Sequence, residues 1–232
     1  MVLLLRTSYR DLLIQSDFSE PAFNLFSDPV NLQRQLLGKL SHYGLQLRDI
    51  RWDQGTGTLG DLNLFCNLSA FAVTLRIRLE RVEILCSDLT PRNEQGVNGI
   101  ALDVLSLLET AELGMSFKTH LMAASFHGVL ENSSVSLSKA GPSKDFIDQF
   151  VTQPPKDLGP HVGNGVVYYF GPQEHRLSAA VTFDLSVRIP DGLYVRLQAA
   201  WDGQSVHAQD LPAVFGNYLR VVYADFGLEW KR

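Results

Sequence analysis

The chain is poor in the residues that most often announce chemistry. It holds two cysteines among 232 residues. Cys66 and Cys86 each lie inside an alternating apolar run, which argues against a disulfide framework and predicts buried, reduced thiols. The six histidines are scattered. His120 and His127 share one extended segment but stand an odd number of positions apart, so they point to opposite faces and cannot form a simple ligand pair. No cysteine pair has zinc spacing, and no H-E-x-x-H, G-x-S-x-G or P-loop pattern occurs. On this reading the chain carries no metal site, no cofactor site and no catalytic residue that a local motif would reveal.

Long apolar runs are also missing. Val2-Leu-Leu-Leu5 is too short for a signal-peptide core, and nothing approaches the length needed to cross a bilayer, so a soluble cytoplasmic protein is expected. The sequons at Asn67 and Asn132 are then chance matches. Positive charge is in deficit, with 20 Lys and Arg against 25 Asp and Glu and a net charge of −5. That balance lacks the basic footprint of generic nucleic-acid binding. Gly55-Thr-Gly57-Thr-Leu-Gly60 has dinucleotide-fingerprint spacing. The residues after it alternate as a strand, however, and no helix N-terminus is there to receive a pyrophosphate.

What the chain does have is alternation. From Leu177 to Ile189 every second residue is apolar, Pro190-Asp191-Gly192 has turn chemistry, and Leu193 to Trp201 alternates again. A three-residue turn pairing Ile189 with Leu193 would set Val187 against Val195 and Leu185 against Leu197, with the apolar set on one face. Leu45–Asp53 reads as a strand with a phase slip near Asp49. Alternation with two parity switches fills Leu62–Cys86, read as a turn near Ser69 and a bulge near Glu80. Met115–Leu130 is extended, and Val166–Phe170 is a further strand.

Helices are signalled at Asp28-Pro29, with Asp as cap, Pro at the first helical position and Gly44 as the stop. Others follow from the Ile100, Val104, Leu107, Leu108, Ala111 stripe, from Ser143–Phe150, and from Asp210-Leu-Pro212 with a Leu211, Val214, Tyr218, Val221, Val222 stripe. Residues 152–165 read as loop, and Leu228–Trp230 as a closing strand. Residues 1–27 resist assignment beyond an edge strand at Val2–Leu5 and a short apolar element at Leu12–Ile14.

These elements predict an α+β fold of antiparallel strands with helices on one face. The order helix, three strands, helix, strand occurs twice, and Ala111–Lys118 resembles Ala224–Lys231, which suggests an internal duplication. The expected division is an N-terminal segment 1–27 and halves 28–138 and 139–232, sharing one core as a single domain. The carboxylate pairs Asp145/Asp148 and Glu109/Glu112 read as exposed helix faces. The candidate interaction surface is the polar sheet side with Arg76, Arg78, Glu80, Asp184, Arg188 and Arg196, where Asp184 and Arg196 are placed to pair, together with Tyr168 and Tyr169. A non-enzymatic adaptor or assembly module, bound to another protein or to itself, fits these features. The alternative is a small-molecule binder or an enzyme with a pocket between the halves.

Overall fold

The computed structural model describes residues 3–53, 62–130, 165–173, 175–190, 192–225 and 228–231. The glycine-rich spacing at 55–60, the helix expected over 143–150 and nearly all of the 152–165 loop lie outside them. The architecture is α+β: one large antiparallel sheet with few helices. The strands are β1 (Leu3–Phe18), β2 (Ile50–Asp53), β3 (Asn63–Leu68), β4 (Val73–Arg78), β5 (Arg81–Cys86), β6 (Phe117–Leu130), β7 (Val166–Phe170), β8 (Arg176–Leu185), β9 (Leu193–Asp202) and β10 (Leu228–Lys231). Their order across the sheet is β2-β3-β4-β5-β1-β6-β9-β8-β7. β10 adds to the N-terminal end of β1 in parallel, Leu3 beside Leu228.

The helices α1 (Phe23–Ser27), α2 (Pro29–Leu40), α3 (Glu94–Leu108) and α4 (Leu211–Asp225) lie against one face. One cluster of buried side chains runs from Leu12 and Ile14 of β1 through Leu36, Leu75 and Ile100 to Leu197, Trp201 and Tyr218. Cys66 and Cys86 are buried in it as free thiols, and burial pushes Cys66 up to about 12. Asp28 caps α2 by accepting the Asn31 N–H at 3.0 Å, and Leu32, Leu36 and Leu40 form its buried stripe. Gly44 takes φ +89° after the helix, where a side chain would be strained.

Several expectations are corrected. The unassigned N-terminus is one 16-residue strand at the centre of the sheet, paired to both β5 and β6. Leu47–Asp49 is a 3-10 turn, and the edge strand begins only at Ile50. The turn at Ser69 forms, with Ala72 at φ 53°. The expected bulge at Glu80 is instead a tight hairpin, Ile77 opposite Val82. Its local turn chemistry is poor, but its carbonyls are taken by the chain leaving β1: Phe18 N–H donates to Glu80 O at 2.8 Å and Ala22 N–H to Leu79 O at 2.7 Å.

α3 starts at Glu94, ahead of the Ile100 stripe that signalled it, and ends at Leu108, so Ala111 lies beyond it. In α4 the buried stripe is Leu211, Phe215 and Tyr218, while Val221 is exposed. The β8–β9 register is also different: Leu185 faces Leu193, Phe183 faces Val195 and Val181 faces Leu197. β8 stops at Leu185, Ser186 to Pro190 leave the ladder, and Val187 is 95% exposed. A shift by an even number of residues keeps every side chain on its face, so the alternation is satisfied equally by either pairing.

Candidate interaction face

The side of the sheet away from the helices is the outer face, and strand register arranges its side chains in rows. One row runs Arg51, Phe65, Arg76, Glu83, Gln15, Leu121, Ala200. The next runs Asn67, Thr74, Leu85, Leu13, Ala123, Gln198, Ala180, Tyr169. A third places Asp11, Ser125, Arg196 and Thr182 side by side. Leu13, Leu85 and Leu121 therefore form an apolar patch where β5, β1 and β6 meet, with Leu85 44% exposed, Leu13 and Leu121 half-buried, and Ala123 buried beside them.

Charged groups frame that patch. Arg76 and Arg78 converge on Glu83 at 4.0 and 3.9 Å, and Arg81 approaches Asp17 at 3.8 Å. The Arg76 guanidinium also sits 4.7 Å from the centre of the Phe65 ring, a cation–π contact that fixes both side chains. On the other side, Arg196 donates to Gln198 at 3.3 Å.

A second cluster pins the β8–β9 loop onto β1 and β6. Arg188 meets Asp11 at 3.4 Å, and His127 Nδ1 lies 2.8 Å from Ser186 Oγ. Ser186 Oγ accepts the N–H groups of Arg188 at 3.1 Å and Ile189 at 2.9 Å. Its hydroxyl proton is thereby turned to His127, which assigns a neutral ring with Nδ1 as acceptor. Burial, then the Arg188 charge, hold the His127 pKa below its ordinary value, against a smaller pull from Asp11. A serine beside a histidine is also how a nucleophile is activated. Here the lone pairs of Oγ are occupied by the loop it organises and Asp11 is engaged by Arg188, so the pair works as a tether.

The sequence-derived surface residues do not all converge. Arg76, Arg78 and Arg196 share the outer face, and Glu80 sits in the β4–β5 turn with Arg81 at 4.0 Å. Arg188 belongs to the loop tether. Asp184 and Arg196 are diagonal across the hairpin, as expected, but the carboxylate accepts the Leu185 N–H at 2.7 Å and makes no ion pair with Arg196 among the described residues. Tyr169 is 82% exposed, whereas Tyr168 packs edge-on against Phe183 on the helix-bearing side. Tyr168 and Tyr169 are adjacent on a strand, which sends them to opposite faces.

His120 and His127 do lie on opposite faces. His120 is buried among the core residues, 2.7 Å from Ser16 Oγ, and burial lowers its pKa to about 4. The described residues contain no group of three or more His, Cys, Asp or Glu able to hold a metal, and no helix among them is long and apolar enough to cross a membrane.

A groove of about 520 Å³ was not anticipated. It opens at the β2 edge and is lined by Arg48, Arg51, Asp53, Phe65, Asn67 and Thr74 among others. Its walls come from strands whose alternation was legible, but their adjacency depends on pairings that alternation does not specify.

No family model matches the chain, and no curated protein does. Among solved structures, the chain is similar to a rolling circle replication initiator protein from Geobacillus stearothermophilus, with 10% identity over 88% of this chain and 78% of that one and a TM-score of 0.37. It is also similar to the TBP of Methanococcus jannaschii, with 15% identity over 91% of this chain and 95% of that one and a TM-score of 0.32.

Proposed function

We propose that the protein is a non-enzymatic interaction module that docks another protein on the outer face of its sheet. The observation that carries this reading is the Leu13, Leu85, Leu121 patch framed by arginines. An apolar centre inside a polar rim is the anatomy of a protein interface, and arginine is enriched among residues that anchor one. The rim arginines stand close to Glu83 and Asp17, so this surface presents less free positive charge than phosphate-backbone binding uses. The free thiols of Cys66 and Cys86 accord with a cytoplasmic setting.

We also propose that the chain is a duplication, with the repeat opening on a central strand, β1 or β6, in place of the helix-first halves 28–138 and 139–232 read from the sequence. Two features support this. β5-β4-β3-β2 on one side of the β1/β6 pair are matched by β9-β8-β7 on the other, with α3 following the first set in sequence and α4 the second. The likeness of residues 111–118 to 224–231 adds to it.

The test of the function is affinity capture with cross-linking from the source cell. Wild-type protein is compared with Leu85→Glu and with the Arg76→Glu, Arg78→Glu double variant. The expected result is one partner cross-linked to the outer face of the wild type and lost from both variants. Recovering no partner with any of them, alongside a defined metabolite retained by the wild type, would overturn the proposal.

A further inference from the structure

The β2 edge groove carries a feature that the protein-docking reading does not use. Arg51, exposed on β2, lies in register with Phe65, which lies in register with Arg76. Arg48 approaches from the 3-10 turn that precedes β2, so two arginines from successive elements line one groove. Among the described residues, neither Arg48 nor Arg51 has an ion pair or a side-chain hydrogen bond. That sets them apart from Arg76, Arg78, Arg81 and Arg188, each of which lies within 4.0 Å of a carboxylate. Asn67 and Thr74, paired across β3 and β4, add exposed polar groups to the same lining.

The acidic groups here are Asp49 and Asp53. Asp49 spends one oxygen on the Gln46 N–H at 3.0 Å, organising the turn that presents Arg48. The groove's volume of about 520 Å³ falls within the range that takes small ligands, roughly 300–1,000 Å³.

We propose that this groove binds a small organic phosphate monoester. Its dianionic phosphate is held between Arg48 and Arg51, and its body lies against Phe65 beside Asn67 and Thr74. The two guanidinium forks, neither in an ion pair among the described residues, present planar donor pairs that suit phosphate oxygens. Asp49 and Asp53, which line the same groove, oppose an extended polyanion, which restricts the ligand to one compact anionic group. Arg76, stacked over Phe65, holds the ring that the ligand body meets. This site adjoins the docking patch: Arg76 belongs to the rim of one and supports the ring of the other, and Thr74 stands in register with Leu85.

The experiment is an amide-shift NMR titration of the full-length protein with phenyl phosphate, with inorganic phosphate and benzoate run in parallel. Phenyl phosphate is expected to give saturable one-to-one shifts centred on Arg51, Phe65, Asn67 and Thr74, and to bind more tightly than either control. Arg48→Ala and Arg51→Ala should each weaken it about tenfold or more, the loss expected for one charged hydrogen-bonding partner. Arg51→Lys, which keeps the charge and the fold of an exposed position, should recover only part of the affinity, and Arg220→Ala, on α4, should leave it unchanged. The absence of saturable shifts in the groove would overturn the proposal. So would benzoate or inorganic phosphate binding as well as phenyl phosphate, or an affinity indifferent to Arg48 and Arg51.

Discussion

His127 and Ser186, 59 residues apart in the chain, are joined by a 2.8 Å hydrogen bond between Nδ1 and Oγ. This bond holds the β8–β9 loop against the sheet. Ser186 reaches it while also accepting two N–H groups of its own loop, so one hydroxyl both shapes the loop and anchors it.

Ser186→Ala removes all three bonds. It should destabilise the protein by about 1–2 kcal/mol, because the Ile189 N–H loses its acceptor in a partly buried setting. Amide hydrogen exchange is the measurement: Arg188 and Ile189 should lose protection, while the β6–β9 pairing keeps its own. Unchanged exchange at both amides would show that Ser186 does not tether the loop.

His120 should make stability fall in acid. Its folded-state pKa of about 4 lies below the ordinary 6.5, so the unfolded chain binds a proton that the folded one refuses. Its contribution is therefore complete above about pH 6.5 and is lost as pH falls towards 4. Each tenfold difference in proton affinity between the two states is worth about 1.4 kcal/mol, so the full loss is on the order of 3 kcal/mol. Urea midpoints between pH 7 and pH 4 test this. His120→Gln, which cannot titrate, should flatten the slope, and superposable profiles would show that other groups set it.

Gly96→Ala is a helix-favouring change that should nevertheless destabilise. Gly96 lies in α3, and an added Cβ would collide with the Phe71 ring, which is packed on the core. Overpacking of this kind costs about 1–3 kcal/mol, against a helix-propensity gain of about 1 kcal/mol. A lowered thermal midpoint is expected, and a raised one would mean that Phe71 moves aside freely.

A chain ending at Ser138 should fail to fold cooperatively. It would keep β6 but lose β9, whose Leu193–Asp202 run pairs with Gly128–Thr119. Met122, Ala124 and Phe126 would then stand beside an uncovered edge, and Trp201, Phe215 and Tyr218 would be missing from the core. Burying each such large side chain is worth about 1.5–3 kcal/mol. A monomeric fragment with a sharp melt would contradict the single-core reading.

What the sequence by itself determined is which face each residue takes. Period-two alternation put Leu193, Val195, Leu197, Ala199 and Trp201 on one side. It also sent His120 and His127 to opposite sides and buried Cys66 and Cys86. The cap at Asp28 and the stop at Gly44 were equally legible, because both act within a few residues of chain. What only the tertiary structure decided is which neighbour each residue meets. Alternation is indifferent to even shifts, so Leu185 could face Leu197 or Leu193 until the Ser186 tether and the loop's own bonds selected the wider loop. β1 became the central strand, and Leu79–Glu80 a hairpin, through bonds between segments far apart in the chain. The groove of Arg48 and Arg51 is decided at the same level, since it exists only where β2 is laid beside β3. A pattern read along the chain carries the direction of a side chain, whereas a site needs the pairing of strands.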